Sequence, residues 1–220
     1  KLRGAKFVQI VADLYPDVAV ELGYLRQNSF ARRAADRAMN YMFRRADSIV
    51  ALGEKMEERI EDKAGVGPDR IEVIPNWVDT EFIQPREKMN NFRKKYNLGD
   101  KFIVSFAGKM GFAQDLDVII ESAKAIAEID DILFLLVGDG VAKEDAVQKY
   151  KDSNLSNIKF IPMQPKEVYP NILAASDISL ATLKEEVRTP VIPGKIMSIM
   201  ASGRPVIISM SNDSDAHKLI

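Results

Sequence analysis

Short apolar runs alternate along this chain with stretches whose apolar positions recur every three or four residues. The runs predict strands over residues 7–12, 48–52, 71–74, 101–107, 132–137, 158–161, 178–182 and 205–209. The longer periodicity predicts helices over 29–46, 54–63, 88–97, 115–129, 141–153, 166–175 and 195–201, with one more starting in 213–220. Ser29 is placed to cap the first of them, and Gly65 and Gly67 to stop the second. Strands separated by helices imply βαβ units and parallel sheets. The run Ile132–Val137 is apolar at every position, as suits a strand covered on both faces. From residue 101 onward there are five strand–helix repeats, enough for a doubly wound domain, and residues 77–100 are the candidate linker.

In such sheets ligands bind beyond the carboxyl ends of the strands. That directs attention to residues 108–114, 138–140, 162–165 and 183–194. In the first loop Gly108 and Gly111 let backbone approach a ligand, and Lys109 puts a positive charge at a strand tip. This combination suits a phosphate, although it also fits an ordinary strand–loop–helix turn. In the second, Gly138 and Gly140 allow a tight turn and Asp139 either caps the next helix or accepts from a sugar or base. The fourth is the most informative. Pro193 and Gly194 open a helix and Lys195 stands in its first turn, where the helix dipole disfavours a cation by roughly 0.3–1 kcal/mol. A lysine there suggests an arriving anion; the bland alternative is a buried helix with a solvated lysine. Ser198 lies one turn on, and Glu185, Glu186 and Arg188 in the preceding loop are candidates to touch a sugar.

Composition narrows the chemistry. The chain has 220 residues, 31 Lys+Arg against 32 Asp+Glu, no cysteine and one histidine, His217. Its balance of −1 excludes nucleic-acid binding by bulk charge. The lack of cysteine excludes disulfides, a thiol nucleophile and a Cys zinc site, and one histidine excludes most histidine catalysis. The longest apolar run has six residues, whereas a membrane helix needs about 20. Residues 1–45 hold nine Lys/Arg against four acids, so the remainder carries −6. This basic front suits an anionic surface or is simply a solvated helix face. The chain opens at Lys1 with a strand about to begin, and reads as a segment of a longer protein.

Several motifs, in order, resemble the retaining nucleotide-sugar glycosyltransferases of family GT4. They are Ala46-Asp47-Ser48, Ile74-Pro75-Asn76-Trp77-Val78-Asp79, Gly108-Lys109, Val137-Gly138-Asp139-Gly140, Ala175-Ser176-Asp177 and Ala201-Ser202-Gly203-Arg204-Pro205. Asp13-Leu14-Tyr15-Pro16-Asp17 with Glu21-Leu22-Gly23 resembles the branch that builds bacterial O-antigen, colanic-acid and capsule sugars. The resemblance implies an α/β, two-lobed GT-B fold with two Rossmann-like doubly wound parallel-sheet lobes, both incomplete here. Residues 1–83 would be the latter part of the acceptor-side lobe, and 84–220 most of the donor-binding lobe. It implies that Lys109 contacts the donor diphosphate, that Gly138 and Asp139 form a donor-side strand tip, that the Met163 backbone meets the nucleobase, and that Gly194 and Lys195 cradle the diphosphate. Gln114 stands where many members carry a second phosphate-binding lysine, Ser198 where the second Glu of an E-x7-E pair would be, and Pro190 where the first would be.

The function implied is transfer of a sugar, with retention and without a metal, from a nucleoside-diphosphate sugar to a glycan or lipid-linked acceptor. The donor would be a UDP-sugar, with no further cofactor. Lys109 and Lys195 would neutralise the leaving diphosphate, and Gly108, Gly111, Gln114, Gly138, Asp139, Met163, Arg188, Gly194 and Ser198 would line the donor site. The setting would be cytoplasmic, peripheral at the inner membrane face through the arginine-rich helix near 29–45. Two rivals stand beside it: a nucleotide-sugar epimerase on the same fold, which needs acid/base groups including histidine, and a non-catalytic sugar-nucleotide binding protein.

Overall fold

The computed structural model describes residues 4–220; Lys1 and Arg3, counted in the basic front, lie outside them. The chain falls into two compact units, one formed by residues up to Asn76 together with 185–193 and 210–220, the other by 77–184 and 194–209.

The first unit contains, in order, β1 (Val8–Ile10), α1 (Asp17–Glu21), α2 (Phe30–Arg45), β2 (Ser48–Ala51), α3 (Glu54–Ala64) and β3 (Ile71–Val73). The strands are parallel in the order β1-β2-β3, with Gln9 opposite Ile49 and Ile49 opposite Ile71. The Ser29 hydroxyl caps α2 by accepting from the Arg32 N–H at 3.1 Å, and Gly65 in the left-handed region ends α3. The Asp47 carboxylate accepts from the Phe7 N–H at 2.8 Å and so locks β1 to β2. Asp17, almost fully buried, is held by Lys63 at 2.8 Å, with Arg32 and Arg59 nearby. The later segments dock by polar anchors. The Glu21 carboxylate accepts from the Thr189 N–H at 3.0 Å and its hydroxyl at 2.6 Å, and the Asn76 amide donates to the Ile192 carbonyl at 3.0 Å. Asp215 accepts from the Lys55 N–H at 2.8 Å, supplying the cap that Gly53 cannot give α3.

The second unit contains α4 (Asn91–Lys95), β4 (Phe102–Ala107), α5 (Asp117–Ala125), β5 (Ile132–Val137), α6 (Lys143–Asp152), β6 (Ile158–Ile161), α7 (Tyr169–Ala175), β7 (Ile178–Thr182), α8 (Lys195–Ala201) and β8 (Val206–Ser209). Its sheet is parallel with order β6-β5-β4-β7-β8, the doubly wound arrangement. Alternation along β5 shows why every residue there is apolar. Phe134 and Leu136 pack with Phe106, Ile119 and Ala146 under α5 and α6, while Leu133, Leu135 and Val137 pack with Ile103, Ile172 and Phe92 under α7 and α4.

The sequence boundary at 83/84 differs from this division. Ile83 packs with Leu173 and Ile199, with Val78 and Phe82 against them, so residues 77–83 belong to the second unit. Residues 185–193 and 210–220 belong to the first through the anchors above. Helix α1 escaped prediction. The helix expected over 166–175 is instead a 3-10 turn followed by α7, because Pro170 has no N–H to continue an α ladder. The C-terminal helix is a single 3-10 turn, Asp215–Lys218, capped by Ser214.

Arg93 ties the second unit together from a position only 2 % exposed. Its guanidinium donates to the carbonyls of Ala175 (2.9 Å), Gly99 (2.7 Å) and Lys101 (3.1 Å), and to Asp177 (3.3 Å), whose carboxylate also accepts from the Ile103 N–H at 2.8 Å. Arg93→Met keeps the stem but orphans these acceptors. We expect a loss of about 3–5 kcal/mol of unfolding free energy, measured by urea denaturation.

Candidate functional site

The order of the second sheet reverses between β4 and β7, and this switch point is where a doubly wound sheet opens a crevice. Registered pairing between the two strands stops at Ser105 opposite Ser179, whose hydroxyls lie 3.0 Å apart, although β4 runs on to Ala107 and β7 to Thr182. Above that pair the strands part. Helix α8 lies in the layer of α7, with Ile199 against Leu173, whereas the Phe106 ring belongs to the opposite layer. The Lys195 side chain reaches from one layer to the other and sets its Nζ 3.4 Å from the Phe106 ring centroid. That Nζ is sealed from solvent and has no hydrogen-bond partner. Burial lowers its pKa to about 7. The Thr182 hydroxyl, at the end of β7, is likewise buried and unpartnered.

The loop after β4 is held against the loop after β5 by backbone alone. The Gly108 N–H donates to the Val137 carbonyl (2.9 Å), the Met110 N–H to Asp139 (2.8 Å) and the Ala142 N–H to Met110 (3.0 Å). A side chain on Gly138 would begin 1.9 Å from the Gly108 carbonyl oxygen, and one on Gly140 2.3 Å from that of Met110. These two glycines are therefore demanded by backbone-to-backbone approach. Gly108 has φ +136°, and a Cβ there would face the Lys195 Nζ at 3.6 Å. Lys109, next along, is exposed and unpaired among the described residues. Gln114 closes the loop by accepting from the Gly111 N–H at 2.8 Å.

Gly108, Lys109, Gly111, Gln114, Gly138, Asp139 and Lys195 thus share the carboxyl end of one sheet. Asp139 does not cap α6, as one sequence alternative had it; it accepts from the Gly140 N–H at 2.9 Å with Lys143 at 3.8 Å, and Ala142 holds the cap position. Met163 is exposed just past the edge strand β6. Gly194 is the N-cap of α8, which has only seven residues and no capping side chain. Ser198 lies beside the half-buried Tyr169 hydroxyl, one turn along α8 from Lys195. Arg188, Glu185 and Glu186 are exposed in the other compact unit. His217 is engaged by the Ser214 carbonyl at 2.7 Å. Asp213 and Asp215 have an Asp-x-Asp spacing that the sequence reading overlooked, but Asp215 is committed to Lys55 and Lys218. Among the described residues no group of His, Cys, Asp and Glu is placed to hold a metal ion. Phe106 was missed because an aromatic residue inside a strand reads as plain core.

Two family models match the chain: "Glycosyl transferases group 1" over residues 101–217 and "Glycosyltransferase Family 4" over residues 3–82. The Pseudomonas aeruginosa protein named "Probable glycosyltransferase WbjE" is 28% identical over 220 residues, covering 99% of this chain and 54% of that protein. An Escherichia coli UDP-Gal:alpha-D-GlcNAc-diphosphoundecaprenol alpha-1,3-galactosyltransferase is 32% identical over 175 residues, 76% of this chain and 43% of the relative. The chain spans about half the length of the curated relatives it matches. The crystal structure of Anabaena HepE in complex with UDP and glucose superposes with a TM-score of 0.74 at 18% identity, over 100% of this chain and 56% of that one.

The buried ammonium makes a stability prediction. The folded chain releases the Lys195 proton near pH 7, whereas an unfolded lysine keeps it to about 10.4. The unfolded state then binds more protons between these values, so this residue's destabilising contribution fades as pH rises through that window. Lys195→Met should stabilise the empty chain by about 1–4 kcal/mol at pH 6, with the gain shrinking towards pH 10. Urea unfolding of both chains at pH 6, 8 and 9.5 checks this.

Proposed function

Because this chain belongs to the glycosyl transferases group 1 family, we propose that it supplies the donor-binding unit, and part of the acceptor-side unit, of an enzyme acting in polysaccharide assembly. That enzyme transfers a sugar from a nucleoside-diphosphate sugar to a glycan or lipid-linked acceptor. The proposed donor is a UDP-sugar, in line with the UDP and glucose named for HepE and the UDP-galactose named for the Escherichia coli relative. A lipid-diphosphate-linked acceptor is in line with that relative's name. Transfer proceeds with retention, as the resemblance to the retaining branch implies.

One observation carries the reading: an unpartnered ammonium stands at the switch point of a doubly wound sheet, beside the Gly108-Lys109 strand tip. In our reading Lys195 and Lys109 neutralise charge as the bond to the diphosphate breaks. No metal is required for that step. In this reading the Met163 backbone meets the base and the Gly108 turn lies beside the phosphates.

Calorimetric titration with UDP-glucose tests this. Its diphosphate does not titrate near neutrality, so the pH dependence reports the protein. Above pH 7 the affinity should fall about tenfold per unit as the empty site loses its proton. Lys195→Met should cost about 100-fold and flatten the profile, and Lys109→Ala should cost less because its charge is exposed. Absence of binding at millimolar concentration would remove the proposal.

We further propose a peripheral, cytoplasmic-side membrane contact through α2. Among the described residues no helix is long and apolar enough to cross a membrane. Arg32 turns inward to Asp17 and Asp36, and Arg44 donates to the Ala64 carbonyl at 2.8 Å. Phe30, Arg33, Arg37, Tyr41 and Arg45 stay exposed at helical spacing. Co-sedimentation with vesicles containing anionic lipid should fall with salt, and Arg33→Glu with Arg37→Glu should abolish it. Equal binding to neutral vesicles would count against the contact.

A further inference from the structure

The sealed position of the Lys195 ammonium poses a difficulty for any ligand it serves. An atom with essentially no accessible surface cannot be touched by a molecule arriving from solvent, and the Nζ of Lys195 is such an atom. Its nearest described surroundings are the Phe106 ring face at 3.4 Å and the space beside Gly108. The ring is itself wholly buried and fixed by its layer, with Met110, Leu180 and Ile119 in the same cluster. It presents its electron-rich face in the slot where β4 and β7 part. A lysine stem has four rotatable bonds and can withdraw from such a place.

We propose that Phe106 is a positioning residue: its ring is the resting seat of the Lys195 ammonium, which leaves that seat to meet an incoming diphosphate. The inference rests on the reading of Lys195 as a diphosphate-binding group. The seat keeps the ammonium out of water while the site is empty, and aims it along the slot towards Gly108. Leaving the ring is then part of the free energy of binding. A ringless residue of similar size lowers that cost, so it tightens the binding of a diphosphate while the amine stays charged.

Two measurements on the 220-residue chain test this. In the first, amines are acylated with acetic anhydride at pH 7.5 and mapped by mass spectrometry. A lysine that sheds its proton this readily outreacts an ordinary one wherever reagent can reach it, so slow labelling reports sealing. Lys195 should label at least tenfold more slowly than the exposed Lys109 in the empty chain, and severalfold faster in Phe106→Leu. In the second, UDP is titrated calorimetrically at pH 6. Phe106→Leu should bind about 2–30-fold more tightly than the unaltered chain, the range of a cation–π contact. Phe106→Met repeats both arms with a second ringless side chain.

Labelling of Lys195 as fast as Lys109 in the unaltered chain overturns the seat. So does a folded Phe106 variant with unchanged labelling, or with unchanged or weaker UDP binding. If UDP binds the unaltered chain and Lys195→Met equally, or neither, the donor-site reading fails instead, and the labelling arm still decides whether the seat exists.

Discussion

An ammonium pressed against an aromatic face, without a carboxylate opposite, has given up most of its hydration for a contact worth about 2 kcal/mol. Folding does not favour that arrangement for its own sake. Lys195 is in this position, and much of its surroundings can be understood from it. The strands part above Ser105 and Ser179, which gives the side chain its slot. Gly108, at φ +136°, turns the strand tip beside the ammonium through a backbone conformation that L side chains rarely adopt. Ile196 and Ile199, buried on the same helix, fix where the lysine starts. A methionine would fill the space at lower cost, and this is the ground on which the proposed function gives the charge to an arriving anion.

The motifs that carry the family resemblance divide unevenly between scaffold and chemistry. Asp177 holds Arg93 and the Ile103 N–H, and Asp47 holds the Phe7 N–H. Gly138 and Gly140 exist because two neighbouring loops approach backbone to backbone. Gly203 ends α8 in the left-handed region. Each of these is recognisable in sequence because a backbone group or a forbidden Cβ dictates it. They keep the strand tips in register, beside which Lys109, Lys195 and Thr182 keep unspent charge or hydrogen-bonding capacity.

This explains what could be read from the residues alone. Strand positions were legible because all six residues of β5 face covered surfaces, and helix starts such as Ser29 because a side chain supplies the missing acceptor. Helix α1 was not, since its five residues carry too little periodicity. The compact units divide at 76/77 rather than at 83/84 because residues 77–83 are fastened by Ile83, a contact without local signature. Lys195 stood out as a cation at an unfavourable helix position. The short α8 and its uncapped start contribute less than expected, and the burial of Nζ over Phe106 contributes more. Ser198 follows Lys195 by one turn as the spacing has it, and its neighbour Tyr169 comes from a separate helix with no local signature.

Gln114 shows why the charge sits where it does. Its amide oxygen accepts from the Gly111 N–H and closes the loop, which a lysine, having donors only, cannot do. On α8 the second cation is different in kind. Desolvation brings its titration to about pH 7, so the empty protein carries it only partly charged. In the proposed donor site, a diphosphate would restore the proton by offering the missing counter-charge. On that proposal, the same burial that destabilises the empty fold makes the second positive charge conditional on the ligand that needs it.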